Sequence, residues 1–136
     1  MRVRILLALA VLFAGCDQPA GLGEKQFDVV LSADRAQYSV GDTAHIVLRN
    51  NGVGQIGYNL CLSARDVREG DGWRRIFPFR ICTESLDLLA PGSETYMDEP
   101  ITAEWVPGQY RVVTRVELPG NGNMVEVSTE PFMIRP

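Results

Sequence analysis

The sequence predicts an all-β domain over residues 27–136, an antiparallel sandwich of about seven short strands. Apolar and polar residues alternate at period two through most of this region, which is the pattern of half-buried strands. Turn sequences rich in glycine, proline and asparagine divide the region at regular intervals. No helix-length stretch carries its apolar side chains at helical spacing. Together these observations favour two packed sheets over a helical or mixed fold.

The first half of the domain contains three alternating runs. Residues 27–33 and 44–48 form the first two, separated by Gly41-Asp42, and the sequence Asn50-Asn51-Gly52 ends the second. The third run predicts one strand, whose inward-facing side chains are Ile56, Tyr58, Leu60 and Leu62.

A hairpin turn is predicted at Glu69-Gly70-Asp71-Gly72, because Asp-Gly readily supplies the positive φ angles that tight hairpins need. The returning strand covers residues 73–77 and ends at Pro78. Residues 85–89 are the only candidate for a single helical turn. Three further strands follow, separated by proline and glycine turns, at residues 94–101, 110–116 and 124–134, the last kinked by Pro131.

Seven strands within about 110 residues are typical of an immunoglobulin-like sandwich. Tyr110 follows the turn Pro107-Gly108 at the start of the penultimate strand. This placement resembles the tyrosine corner of immunoglobulin and fibronectin type III domains, in which the tyrosine hydroxyl bonds to nearby backbone. We therefore expect Tyr110 to be a structural residue. A tyrosine that merely packs within the strand is the alternative.

The amino terminus has the pattern of a secretory signal peptide, residues 1–15. Two arginines precede a run of about nine apolar residues, too short to span a membrane, which needs roughly 20. The sequence Leu12-Phe13-Ala14-Gly15-Cys16 resembles the lipobox of bacterial lipoproteins, with Phe13 where that box usually has leucine. The resemblance implies cleavage before Cys16 and acylation of its thiol. A plain secretory leader and a retained helix are the alternatives.

Lipid on Cys16 would anchor an exported protein at the periplasmic face of a bacterial membrane. Asp17 resembles the signal that retains lipoproteins at the inner membrane of enteric bacteria. Residues 16–26 are predicted to be the lipidated cysteine and a flexible tether, because glycine, proline and polar residues follow one another there without periodicity. The tether would space the domain off the membrane.

Two cysteines, Cys61 and Cys82, remain if Cys16 carries lipid. An even number of cysteines in an exported domain favours a disulfide. Two free thiols or a metal-binding pair are the alternatives. The metal pair lacks further ligands, since His45 is the only histidine and structural zinc needs a full set of ligands. We therefore predict a Cys61–Cys82 disulfide and no metal.

Five short pieces of the domain occur in a characteristic order. They are Tyr38-Ser-Val-Gly-Asp42, Leu48-Arg-Asn-Asn51, Trp73 after its hairpin, Leu89-Ala-Pro-Gly92 and Pro107-Gly-Gln-Tyr-Arg111. Their order and spacing resemble a family of bacterial immunoglobulin-like (fibronectin type III-like) domains in cell-envelope lipoproteins. The resemblance implies the sandwich fold and an envelope location. It implies no activity, because such domains mostly serve as spacers or binding modules.

The sequence contains no convincing constellation for catalysis, and we predict a protein that is not an enzyme and needs no cofactor. No nucleophile stands with a base at a recognisable spacing, and Gly52-Val-Gly54 lacks the features of a phosphate loop. Asp98 and Glu99 are adjacent in a strand, so we expect them to point to opposite faces and to be solvated. His45 is expected to be a surface or half-buried strand residue. The formal charge of −4 disfavours nucleic acid as a partner.

Residues 73–82 concentrate aromatic and basic side chains in an acidic chain. Tryptophan and arginine are enriched at binding hot spots, and a strand interrupted by proline suits a sheet edge. We predict a partner-binding edge, held by the disulfide, formed by Trp73, Arg74, Arg75, Phe77, Phe79 and Arg80. The alternative is that the core is covered by Trp73, Ile76 and Phe79 while the arginines are solvated.

The sequence therefore predicts an exported, lipid-anchored protein whose immunoglobulin-like domain has no catalytic function. Its expected role is contact with a protein partner, or structural spacing, in the cell envelope. The alternative from another class is an exported protease inhibitor, in which an exposed loop of the sandwich occupies the protease site.

Overall fold

The computed structural model describes residues 27–136 and confirms the predicted all-β class. The predicted signal peptide (residues 1–15), the lipidated Cys16 and the tether to residue 26 lie outside the described residues. No helix within residues 27–136 has the length and apolar character needed to cross a membrane.

Residues 27–136 form eleven strands and one 3-10 turn. The chain has more strands than the seven expected, because two predicted strands are each divided in two and two three-residue strands were not expected. The elements are β1 (Val29–Ala33), β2 (Gln37–Ser39), β3 (Thr43–Asn50), β4 (Ile56–Tyr58), the 3-10 turn (Leu60–Leu62), β5 (Ala64–Glu69), β6 (Gly72–Ile76), β7 (Asp87–Leu89), β8 (Glu94–Pro100), β9 (Gly108–Glu117), β10 (Met124–Ser128) and β11 (Phe132–Arg135).

The strands form two sheets that pack as an immunoglobulin-like sandwich. The smaller sheet has the order β1-β3-β8. The larger sheet is organised around β9, which pairs with β11 and β10 along one edge and with β5 and β4 along the other. At the borders of the larger sheet, β6 pairs with β5, β7 pairs with β4, and β2 adds to β11 as a parallel strand.

The core lies between the inner faces of the two sheets and contains an aromatic cluster. Tyr38 and Phe132 pack edge to face with 5.2 Å between ring centroids, and the rings of Trp105 and Tyr110 are 4.9 Å apart. Burial of a large apolar side chain contributes about 1.5–3 kcal/mol. The other buried apolar side chains around this cluster include Ala44, Ile46, Leu48, Ile56, Ile101, Val116 and Ile134.

The prediction of one uninterrupted strand from Ile56 to Leu62 is wrong. The ladder with β9 cannot pair all of these residues. Tyr58 pairs with Val116 and Ala64 pairs with Val113, so six residue steps on one strand face three on the other. The three extra residues leave the ladder as the 3-10 turn. Leu62, which an uninterrupted alternation would point inward, is 53% exposed.

The helical turn considered for residues 85–89 is also wrong. Asp87–Leu89 is β7, which pairs with β4 in antiparallel register. A segment this short takes the conformation that its neighbours impose, and the free edge of β4 favours an extended partner.

The side chain of Tyr110 joins the start of β9 to the loop before it. Its hydroxyl donates a hydrogen bond to the carbonyl oxygen of Val106 at 2.9 Å, which is the geometry of a tyrosine corner. The ring is buried against Trp105. Burial raises the pKa of Tyr110, so the hydroxyl stays protonated and remains a donor throughout the neutral range.

Tyr110→Phe removes this hydrogen bond and keeps the packing of the ring. We expect the free energy of unfolding to fall by about 1 kcal/mol, measured by urea denaturation. Tyr96→Phe is the matched control, since Tyr96 is 62% exposed. Equal stabilities of the two variants would show that the corner hydrogen bond does not contribute.

Candidate functional site

The long hairpin of β4 to β7 is open in its middle, and this opening defines the candidate functional site. The hairpin is paired at both ends, Tyr58 with Asp87 and Arg65 with Ile76. Between these pairs the outgoing strand has seven residue steps and the returning strand has eleven. Residues 77–86, the open segment, therefore leave the ladder and make no backbone–backbone hydrogen bond with the described part of the chain.

Covalent and polar contacts hold the open segment against the outgoing strand. The predicted disulfide is confirmed: Cys61 and Cys82 are bonded, with their Cα atoms 5.8 Å apart. The side-chain amide of Asn59 donates to the carbonyl oxygens of Thr83 at 2.7 Å and Ser85 at 2.9 Å. The segment is thus braced although it lacks secondary structure.

The side chains of the open segment alternate between solvent and protein. Phe77, Phe79 and Ile81 are 74%, 97% and 94% exposed, whereas Pro78 and Arg80 are half-buried. The alternation indicates extended backbone. We call Phe77, Phe79 and Ile81 the ridge. These three large apolar side chains are exposed at alternate positions of one segment, and exposed apolar patches mark interaction sites.

The alternative prediction, in which Trp73, Ile76 and Phe79 cover the core, is wrong for Phe79, which is almost fully exposed. Trp73 and Ile76 are half-buried. The sequence prediction omits Ile81 from the binding edge. The signal that could have found it is the period-two alternation of apolar residues, which continues past Pro78.

Trp73 and Arg75 lie on the outer face of the larger sheet, where Arg75 belongs to a charge network. Asp66, whose side chain is 2% exposed, accepts hydrogen bonds from Arg75 at 2.8 and 3.1 Å and from Arg111 at 3.0 Å. Arg75 also donates to both carboxylate oxygens of Glu126, at 2.7 and 2.8 Å. The hydrogen bonds from Arg75 hold the pKa of Asp66 and the pKa of Glu126 below their usual range.

Trp73 and Arg74, the other two residues of β6 in the predicted edge, also contact neighbouring side chains. The guanidinium groups of Arg111 and Arg68 lie 4.5 and 5.2 Å from the ring centroid of Trp73. Arg74 forms an ion pair with Glu69 across the hairpin turn. The predicted six-residue edge therefore has two parts: the three residues in β6 make contacts within the sheet, and the two phenylalanines face solvent.

Arg80, the last residue of the predicted edge, is half-buried and forms an ion pair with Glu99, which is 7% exposed. The expectation that Asp98 and Glu99 are both solvated is wrong for Glu99. A buried carboxylate needs a cation beside it, and Arg80 supplies one. Asp98 is exposed and points to the other face, as expected for adjacent residues of a strand.

The remaining charged groups near the opening are paired rather than gathered around a common point. His45 is half-buried, and its Nδ1 lies 2.7 Å from an oxygen of Asp98. Within residues 27–136, no cluster of three or more His, Cys, Asp or Glu side chains is placed to hold a metal ion.

No family model matches the chain, and no curated protein matches it. Several solved structures are similar to it. Neutral ceramidase from Pseudomonas aeruginosa is 14% identical with a TM-score of 0.47, over 85% of this chain and 20% of that chain. The ASH / PapD-like domain of human CEP192 is 12% identical with a TM-score of 0.35, over 96% and 98%. A beta-glucosidase from Listeria innocua is 12% identical with a TM-score of 0.33, over 78% and 16%.

At these identities the likeness concerns the fold alone. The chain corresponds to about a fifth of the ceramidase chain and to 16% of the beta-glucosidase chain. The class of protein, an immunoglobulin-like all-β domain, rests on the two sheets and their strand pairing.

Asp66→Asn removes the charge at the centre of the outer network. We expect a loss of about 2 kcal/mol in the free energy of unfolding at pH 7. This is less than for a fully buried pair, because the side chains of Arg75 and Arg111 are 32% and 29% exposed. The folded pKa of Asp66 is depressed, so its contribution is present above the unfolded value of about 3.9 and is lost as pH falls through the folded value.

Urea denaturation at pH 7, 5 and 3 measures both effects. The difference between wild type and Asp66→Asn should persist at pH 5 and shrink at pH 3. Asp87→Asn, at an exposed position, is the control and should follow the wild type. A difference that does not change with pH would contradict the electrostatic origin.

The double substitution Cys61→Ser/Cys82→Ser tests the brace of the open segment. The disulfide joins residues 21 positions apart, and in the chain-entropy model its loss costs about 3 kcal/mol of stability. We also expect faster proteolytic cleavage within residues 77–86, measured by limited proteolysis with mass spectrometry. Unchanged cleavage of this segment in the folded variant would show that the Asn59 contacts suffice to hold it.

Proposed function

We propose that this chain is an exported, lipid-anchored protein of the bacterial cell envelope whose immunoglobulin-like domain binds a protein partner through the ridge. The observation that carries the proposal is the exposure of Phe77, Phe79 and Ile81 on one braced, extended segment. In this proposal the domain is a binding module without catalytic function.

The energetics of the ridge support binding. A partner that covers it would remove three large apolar side chains from water, each worth about 1.5–3 kcal/mol when fully buried. The disulfide and the Asn59 amide tether the segment at Cys82 and Thr83, which lowers the ordering entropy that opposes association. A few such anchors carry most of the binding energy of an interface.

Features of the sequence support the location. The leader, the lipobox-like sequence ending at Cys16 and the tether favour a lipid anchor at the periplasmic face, and Asp17 favours the inner membrane. The Cys61–Cys82 disulfide agrees with an oxidising compartment. An anchored domain with an exposed ridge would meet partners that lie near the same membrane.

An exported protease inhibitor is the second candidate, and the extended conformation of the open segment favours it. Endopeptidases bind their substrate chain in an extended form, and Phe79 would offer a fully exposed aromatic side chain to a specificity pocket. Inhibition assays with a panel of serine and cysteine proteases separate the candidates. Inhibition that Phe79→Ser abolishes would favour the inhibitor, and no inhibition together with a captured non-protease partner would favour the binding module.

Phe79→Ser should abolish partner capture, because it removes the most exposed side chain of the ridge. The measurement is crosslinking in cells of the lipidated protein, followed by affinity capture and quantitative mass spectrometry. We expect one discrete partner that is enriched with the wild type and at least about tenfold less with Phe79→Ser.

Val53→Ser is the matched control. Val53 is 58% exposed and lies in the loop that packs near Pro119, at the other end of β9 from Phe79. Capture should be unchanged in this variant. Equal capture by the wild type and Phe79→Ser would exclude the ridge as the binding surface.

A further inference from the structure

Arg65 is a buried charge without a close partner. Its register opposite Val112 places it on the inner face of the larger sheet, and it is 8% exposed. The guanidinium carbon lies 4.3 Å from the ring centroid of Trp105. The Nε atom has no hydrogen-bond partner among residues 27–136. The only ion pair of Arg65 within the described chain is with Glu104, at 4.0 Å, and the Glu104 side chain is 85% exposed.

The other buried charges near Arg65 do not neutralise it. Glu99 is already paired with Arg80. Arg65 and Arg80 both line one cleft, so two guanidinium groups share this region. Burial and the nearby charge of Arg65 lower the pKa of Arg80. A buried cation that lacks a hydrogen-bonded anion is unfavourable. The fold therefore holds Arg65 ready for an additional acceptor.

An open cleft of about 350 Å³ gives access to Arg65. Phe79 and Pro78 form one wall of the cleft, and Trp105 forms another. The cleft is therefore continuous with the ridge. Its mouth lies beside the open segment, whose backbone is unpaired and extended.

We infer that this cleft, the Arg65 cleft, receives an aspartate or glutamate side chain from an extended segment of the protein partner. The inference rests on the proposed function and names the chemistry of the partner. The Nη2 atom of Arg65 lies 4.0 Å from the exposed carboxylate of Glu104, so the Nη donors of the guanidinium are the ones that face an incoming carboxylate. The acidic side chain would take the place of Glu104, which is exposed and free to turn away.

The charges of the cleft favour a carboxylate over a phosphate. Glu99 and Glu104 line it, and they would repel a group with nearly two negative charges more strongly than a carboxylate with one. The open segment favours an internal side chain over a carboxyl terminus, because a strand lying along residues 77–81 continues past the cleft in both directions.

The test compares two fluorescein-labelled pentapeptide amides by fluorescence anisotropy with the full chain. One has a central glutamate between two phenylalanines, and the other has glutamine in its place. We expect the glutamate peptide to bind about tenfold more tightly, as for a hydrogen bond to a charged group. Equal affinities would overturn the inference. Equally tight binding of the glutamine peptide with a free carboxyl terminus would overturn the choice of an internal side chain.

Variants locate the effect. Arg65→Met should remove the preference for glutamate, whereas Arg49→Met, an exposed arginine of β3, should retain it. Glu104→Gln removes the competing carboxylate and should tighten binding of the glutamate peptide severalfold. If thermal melting shows that Arg65→Met is unfolded, the Glu104→Gln variant becomes the deciding test. Unchanged or weaker binding of the glutamate peptide to this variant would overturn the inference.

The failures of the inference and of the proposed function are distinguishable. A partner lost in Phe79→Ser, together with no glutamate preference, leaves the ridge as a binding surface and overturns the Arg65 cleft as its acidic pocket. In the peptide assay, a glutamate preference that is lost in Arg65→Met but kept in Phe79→Ser supports the Arg65 cleft as the acidic pocket. It shows at the same time that the ridge does not contribute to peptide binding.

Discussion

Strand β9 holds four neighbouring strands, and the register of two of them creates the site. β4 and β5 pair with the same edge of β9, but the chain between them is three residues too long for that ladder. The three extra residues leave the sheet as the 3-10 turn. Opposite this turn, the returning strand also leaves the ladder, over the longer segment 77–86. The disulfide then joins the two sides of the opening. The exposed ridge is therefore a consequence of strand register.

The arginines of β5, β6, β9 and the open segment have different roles, which their close spacing in the sequence does not indicate. On the outer face, Arg75 and Arg111 neutralise the buried carboxylate of Asp66. On the inner side, Arg80 does the same for Glu99. Arg65 has no comparable partner. The composition typical of a binding surface thus comes largely from internal ion pairs, and the surface available to a partner is mostly apolar.

Local signals account for what the sequence predicts correctly. Alternation and turn residues predict the two-sheet fold, and the two cysteines within residues 27–136 predict the disulfide. The exposure of Leu62 could not be predicted, because it depends on register against β9, far along the chain. The pairing of Arg75 with Glu126 depends in the same way on strands that only folding brings together. The inward position of Arg65 could not be predicted either, because alternation continued from Ile56 to Leu62 places residue 65 on the outer face and only the 3-10 turn brings it inward.

The ridge combines exposed apolar side chains with an unpaired backbone, the two properties that let a sheet edge recruit further copies of itself. Pro78 lies between Phe77 and Phe79 and has no N–H group, so a strand added there loses a donor. Arg80 brings a charge two residues further on, and the formal charge of −4 makes copies repel one another. These features limit open-ended polymerisation, so the domain can display an apolar edge and remain dispersed.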